Sequence, residues 1–135
     1  MEIRVRHLNG VKFEAETRGH RIVCDQPSGN GGEDAGMTPP EFLLASLGTC
    51  AGFYAAQYLR NHKLSQEGLE VIVHAEKAPA PARLATFRIE ITAPGLAPVH
   101  EAGIMRAVNA CLVKNTLALP PNIETVLHTQ ALAQV

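Results

Sequence analysis

The 135-residue chain has no tryptophan, two tyrosines and four phenylalanines, so aromatic residues make up only 4% of a composition that is 46% hydrophobic. A buried core must therefore be assembled from Ala, Val, Leu and Ile, in elements of modest bulk. No run of Lys or Arg occurs, and 12 basic against 13 acidic residues leave a formal net charge of −1. That balance argues against a nucleic-acid surface or a membrane as the main partner. The opening stretch MEIRVRHLNG alternates polar and apolar residues and has neither the apolar core nor the cleavage site of a secretory signal. A cytoplasmic location is expected, and there three cysteines, Cys24, Cys50 and Cys111, point to free thiols or transient redox chemistry rather than a disulfide framework. The six histidines show no HExxH or Cys/His zinc spacing, and GxSxG, Walker and GxGxxG patterns are missing, so neither a metal nor a cofactor is expected.

What is present alternates between two periods. Ile3 and Val5 alternate with polar residues up to Asn9-Gly10, a strong hairpin signal, and Val11, Phe13 and Ala15 resume the alternation. A second turn at residues 17–20 leads into a third strand where Ile22 and Cys24 share a face, which makes Cys24 a half-buried strand residue. Residues 26–36, QPSGNGGEDAG, predict a flexible surface loop. Thr38-Pro39-Pro40-Glu41 fits a capping box that starts a helix running to about Asn61. Residues 42–59 carry no charge, but Ser46, Gly48, Thr49, Gly52 and Gln57 dilute a membrane-span reading. A core helix buried nearly all round is expected, with Leu43, Leu47, Cys50 and Tyr54 on one face. Period two returns at Leu69, Val71 and Val73 and again at Ala85, Phe87, Ile89 and Ile91, predicting a second hairpin. Residues 100–117 predict a second helix, Pro120-Pro121 ends it, and IETVLHTQAL, residues 123–132, predicts a last strand. The expectation is one α+β domain over residues 1–135 with the order βββ-α-ββ-α-β. One such chain has too little apolar surface to surround its long helix, so a homodimer is expected.

Cys50 and Cys111 fall on the apolar faces of two different predicted helices. Packing alone explains such residues, because free cysteine behaves as a small hydrophobe. A pair of thiols that reduces a peroxide, one attacking and one trapping the sulfenic acid, needs the same placement. The spacing leaves both open. PPEFLLASLGTC followed by ACLVKNTL resembles the OsmC/Ohr family of organic hydroperoxide resistance proteins, and the predicted order of elements is similar over nearly the whole chain. The resemblance implies an intertwined homodimer with long central helices and sites at the subunit boundary. It further implies that Cys50 reduces a small organic hydroperoxide, Cys111 resolves the sulfenic acid as a disulfide, and a dithiol reductant restores both thiols in oxidative stress defence. Phe42, Leu47 and Phe53 are expected to wall the substrate pocket. The chain departs from the family pattern in three places. Pro40 occupies the family's glutamate position, with Glu41 on the opposite helix face. HLNGV stands at the family's arginine turn, leaving Arg18 and Arg21 as the nearest candidates, and Leu112 follows the second cysteine in place of proline. These departures support an alternative: a peroxidase-inactive relative that binds a small apolar ligand or acts as a slow thiol sensor, its Cys50 pKa raised by burial without a charged partner.

Overall fold

The structure, a computed structural model, describes residues 1–130. Three short strands, β1 (Arg4–Asn9), β2 (Lys12–Thr17) and β3 (His20–Cys24), form an antiparallel meander. Its second turn has positive φ at both Arg18 (49°) and Gly19 (82°), the backbone twist that suits a tight hairpin. Val5, Ala15 and Ile22 pair across the strands in one row, and His7, Phe13 and Cys24 in another on the same face. The opposite face is charged: Arg6 NH1 bonds Glu16 Oε2 at 3.0 Å, and Arg21 Nε lies 3.6 Å from the same oxygen. The charged face is thus internally paired, while Val5, Phe13 and Ile22 on the apolar face stay exposed.

The glycine-rich stretch is not the flexible loop its composition predicts. It folds around Asp25, a carboxylate only 1% exposed. Oδ1 accepts the Gln26 N–H at 2.8 Å, and Oδ2 accepts the N–H groups of Glu33 and Ala35, both at 3.0 Å. The Ala35 N–H first, then those of Gln26 and Glu33 and the charge of Lys12, hold the carboxyl below the usual range against the effect of burial. Lys12 Nζ also bonds Glu33 Oε2 at 2.7 Å, tying the loop to β2. Gly32 and Gly36 are required by close approach: a Cβ on either would strike the carbonyl of Gln26 or Val23.

Helix α1 (Pro39–Asn61) starts as the capping box predicts. Glu41 Oε1 accepts both the Thr38 N–H (2.9 Å) and the Thr38 hydroxyl (2.8 Å). The second hairpin, β4 (Glu70–Ala78) and β5 (Arg83–Thr92), pairs Val71 with Ile91, Val73 with Ile89 and Ala75 with Phe87. Helix α2 (Glu101–Asn109) crosses the end of α1, and the core forms where Ala51, Ala55 and Leu59 meet Ile104 and Val108, with Val71 and Ile89 against them. Gly48 lets β4 close on α1, since a Cβ there would lie 3.0 Å from Val73, and Gly103 lets α2 close on the Tyr58 ring. Tyr58 Oη is 2.9 Å from His100 Nδ1 and its ring stacks on His62 at 4.0 Å, joining the end of α1 to the start of α2.

Three expectations are refined by the structure. First, within a single chain α1 is not buried all round: only the stripe Leu47, Ala51, Ala55 and Leu59 is buried, and Phe53 is 59% exposed, so the fuller burial expected of it rests on the second copy. The helix is long and apolar enough to cross a membrane by length and composition, yet its stripe packs into the core, and one hairpin and α2 cover only that side. Second, residues 100–117 are not one helix. Helical backbone stops at Ala110, Cys111 is extended, and α3 (Leu112–Ala118) starts after it. Third, residues 121–130 form no strand; the rest of the expected strand lies outside the described residues. A strand needs a ladder partner, and both sheets are built from local antiparallel neighbours that leave this segment unpaired.

The Asp25 pin has a signed pH dependence. Its folded pKa lies below the unfolded value of about 3.9, so its contribution is complete above that value and disappears as pH falls through the folded pKa. Asp25→Asn is expected to lower the urea midpoint at pH 7, with the gap to wild type closing below pH 4. A gap that stays constant down to pH 2.5 would contradict the pin.

Candidate functional site

Cys50 sits on α1 three residues after Leu47, at the edge of the buried stripe, and is half-buried. Cys111 is fully buried at the break between α2 and α3. The break exists because Cys111 caps α3: its φ of −54° and ψ of 122° are not helical, and its Sγ accepts the Lys114 N–H at 3.4 Å. Helix termini leave their first N–H groups unpaired, and those of Val113 and Leu112 join the Cys111 side chain in favouring the Cys50 thiolate. The two cysteines expected from the sequence therefore lie near enough to shift each other's ionisation, and both are free thiols.

Burial pushes the Cys50 thiol up, but the hydrogen bond from Cys111 and the N–H groups of Val113 and Leu112 outweigh it, so the thiol lies below its ordinary value. The raised pKa that burial alone predicts for Cys50 is thus overturned. Cys111 moves the other way: burial, then the bond and charge of Cys50, raise it, and the Lys114 N–H only partly opposes. The pair titrates as a unit, with Cys50 ionising first. A thiolate beside a protonated thiol is the arrangement needed for attack at one sulfur and disulfide closure at the other.

No charged side chain among the described residues acts on Cys50. Glu41 is occupied by Thr38, and Arg21 lies against Glu14 and Glu16 on the charged face of the first sheet. Arg18 occupies the β2–β3 turn. Cys24 is raised by burial and then by the charge of Asp25, which leaves it an unreactive strand thiol. Leu47 lines an open groove of about 590 Å³ together with Leu43, Phe87, Ile89 and Leu117. Phe42 and Phe53 do not line it. Phe42 is half-buried, and Phe53 stands exposed with its ring edge-on to Tyr54 at 5.2 Å. The sequence reading missed the N–H groups of Leu112 and Val113, because nothing in the apolar periodicity marks the break at Cys111.

The OsmC-like protein family model matches residues 31–126. The chain belongs to the OsmC-like family. Solved structures carry the same fold at low identity. One from Psychrobacter arcticus, described as an osmotic stress induced and detoxification response protein, superposes with a TM-score of 0.77 at 20% identity over 84% of this chain and 85% of that one. An OsmC-like protein from Mycoplasma pneumoniae gives 0.70 at 18% over 88% and 87%. An organic hydroperoxide resistance protein OsmC from Legionella pneumophila gives 0.60 at 16% over 86% and 87%. None of the curated proteins matches significantly.

In this OsmC-like protein Leu112 opens α3 at the position where proline is most readily accepted, because the helix does not use that N–H. Cys50 does use it. Leu112→Pro should keep the fold and raise the Cys50 pKa, because one group that favours the thiolate is lost. Iodoacetamide alkylation followed against pH, with Cys50 read by mass spectrometry, checks both points. Wild type should show a Cys50 midpoint below about 8.5, and an unchanged midpoint in the variant would remove the N–H from the account.

Proposed function

We propose that this OsmC-like protein is a thiol peroxidase that reduces organic hydroperoxides to alcohols. The pairing of Cys50 on α1 with buried Cys111 at the start of α3, two free thiols shifted in opposite directions, carries the reading. The Cys50 thiolate attacks the O–O bond, forms Cys50 sulfenic acid and releases an alkoxide that takes a proton to become the alcohol. The Cys111 thiol then attacks the sulfenic sulfur, forming a disulfide and releasing water. A small dithiol or a dithiol protein in a reducing cytoplasm returns both cysteines to thiols, becoming a disulfide itself. The name of the Legionella relative and the apolar groove beside Leu47 support an organic rather than an inorganic peroxide.

The lack of a charged group at Cys50 favours a second reading, a slow thiol sensor with the same sulfur pair. The rate separates them. Stopped-flow consumption of cumene hydroperoxide with excess dithiothreitol should show turnover that Cys50→Ser abolishes. Cys111→Ser should retain the first burst but accumulate sulfinic acid at Cys50. Consumption by wild type no faster than by Cys50→Ser refutes the peroxidase.

The working form is a homodimer of one domain per chain. Support comes from the exposed apolar row Val5, Phe13 and Ile22, from Phe53 on α1, and from Ile123 (84% exposed) and Leu127 in the unpaired tail. Each such side chain gains roughly 1.5 to 3 kcal/mol on burial, and a second copy supplies the matching surface. Unfolding should shift to higher temperature as protein concentration rises, and light scattering at micromolar concentration should give twice the chain mass of 14.5 kDa. A folded species of single-chain mass overturns the assembly.

A further inference from the structure

Helix α3 has no buried residue, so apolar packing inside the chain does little to fix where it starts. Its first turn holds no acid but carries Lys114 at the third helical position, where the partial positive charge of a helix start disfavours a cation. Lys114 has a use for that place. Its Nζ donates to Asn109 Oδ1 at 3.0 Å, and its backbone N–H donates to Cys111 Sγ at 3.4 Å. Asn109 is the last residue of α2, so the side-chain bond spans the break at Cys111. Among the described residues it is the only side-chain hydrogen bond from α3 back to α2. The backbone itself supplies none. The Ala110 and Cys111 N–H groups close the last turn of α2 on the carbonyls of Ala107 and Val108, each at 3.1 Å, and α3 begins afresh with the Asn115 N–H on the Cys111 carbonyl at 3.0 Å.

The joint between the two helices is therefore the φ and ψ of Cys111 and its neighbours, the soft dihedrals of the backbone. Rotation there swings the whole of α3, and the N–H groups of its first turn, relative to α2 and α1. We infer that Asn109 and Lys114 are positioning residues for the thiol pair: their side-chain bond ties the end of α2 to the first turn of α3 and so holds Cys111 at the break with its sulfur on the Lys114 N–H. The ammonium acts by its reach and not by its charge. Neither thiol owes any of its shift to the Lys114 charge, whereas the Lys114 N–H favours a thiolate at Cys111, and the N–H groups of Val113 and Leu112 favour one at Cys50. The inference rests on the proposed pairing of Cys50 with Cys111, but not on a hydroperoxide as the oxidant.

Asn109→Ala removes the acceptor and Asn109→Asp keeps one. Both are compared with wild type as full-length reduced proteins, by the pH midpoint of Cys50 alkylation and by the rate at which diamide closes the Cys50–Cys111 disulfide. In that closure the two thiols give two protons and two electrons to the N=N bond of diamide, which becomes a hydrazine, as the S–S bond forms. Asn109→Ala is expected to raise the Cys50 midpoint and to slow closure about fivefold, the effect of one hydrogen bond. Asn109→Asp is expected to match wild type in both. If Asn109→Ala does not fold, Lys114→Met breaks the same bond while keeping the backbone N–H, and the same two changes are expected. A closure rate that the substitution leaves unchanged overturns the inference whatever happens to the thermal midpoint, because a bond that only stabilises the fold has that signature. An Asn109→Asp protein that behaves like Asn109→Ala overturns it as well. Slower closure with rescue by Asn109→Asp, in a protein that fails to consume cumene hydroperoxide, supports the positioning pair and overturns the peroxidase alone.

Discussion

At Cys111 the backbone leaves the helical region, with φ −54° and ψ 122°, so the residues after it start a new helix with N–H groups that have no carbonyl one turn back. The Cys111 sulfur takes the Lys114 N–H, and the N–H groups of Val113 and Leu112 favour the Cys50 thiolate. Had residues 100–117 formed one continuous helix, the Leu112 and Val113 N–H groups would bond carbonyls a turn earlier, and Cys50 would face only apolar surface. Burial would then govern its pKa and push it up. The break thus favours the Cys50 thiolate without a charged side chain. The remainder of the fold serves that contact: Gly48 lets α1 settle on β4, Gly103 lets α2 close on Tyr58, and the packed α1 and α2 fix where α3 begins.

Much of this was legible along the chain because the relevant interactions are local. Asn9-Gly10, Arg18-Gly19 and the alternation around them specify the first meander, and Thr38 with Glu41 marks the start of α1. Period two from Leu69 and from Ala85 gives the second hairpin and its inner face. The two cysteines could also be matched from their motifs. What could not be read depends on partners distant in sequence. Ile104, Ala107, Val108 and Cys111 keep helical spacing straight across the break, so periodicity hides it. Gly, Ser, Asn and Asp at residues 26–36 signal flexibility, but Asp25 satisfies three N–H groups of that stretch and makes it a built loop. Residues 123–130 carry strand-like alternation without a neighbour in the chain to pair with, and pattern alone does not supply one.

The uncovered surfaces share one cause. A chain with 4% aromatic residues builds a thin core of Ala, Val, Leu and Ile, and α2 with one hairpin encloses only a single stripe of α1. The first sheet pairs its charges on one face and leaves its apolar face open. Sequence reasoning placed that excess apolar surface on the helix alone, whereas the structure divides it among α1, the first sheet and the tail. The distribution matters for the site, because Phe53 stands one helical turn beyond Cys50 and remains in solvent unless something else in the assembly covers it. The groove walled by Leu47, by contrast, is lined by residues of α1, β5 and α3 of the same chain. Of Phe42, Leu47 and Phe53, the residues expected to wall the substrate, Leu47 lines this groove and the other two do not, and neither does Cys50.

The opposite pKa directions of the two thiols bear on the order of the proposed cycle. In the reduced protein the Cys111 proton is a donor to Cys50, so a charge on Cys50 raises the cost of ionising Cys111. That coupling keeps Cys111 protonated while Cys50 attacks, which suits its role as a hydrogen-bond donor and leaves it a poor competitor for peroxide. Once Cys50 becomes a sulfenic acid its negative charge is gone, and with it the part of the Cys111 shift that arose from that charge. The Lys114 N–H, which stabilises an anion on Cys111, remains. Resolution is thereby eased by the oxidation that calls for it, and the same neutral N–H groups serve each sulfur in turn. A fixed positive side chain would favour both thiolates at once and give no such ordering. Without the family's arginine and glutamate, the proposed control of the two thiols rests on the geometry of one helix start.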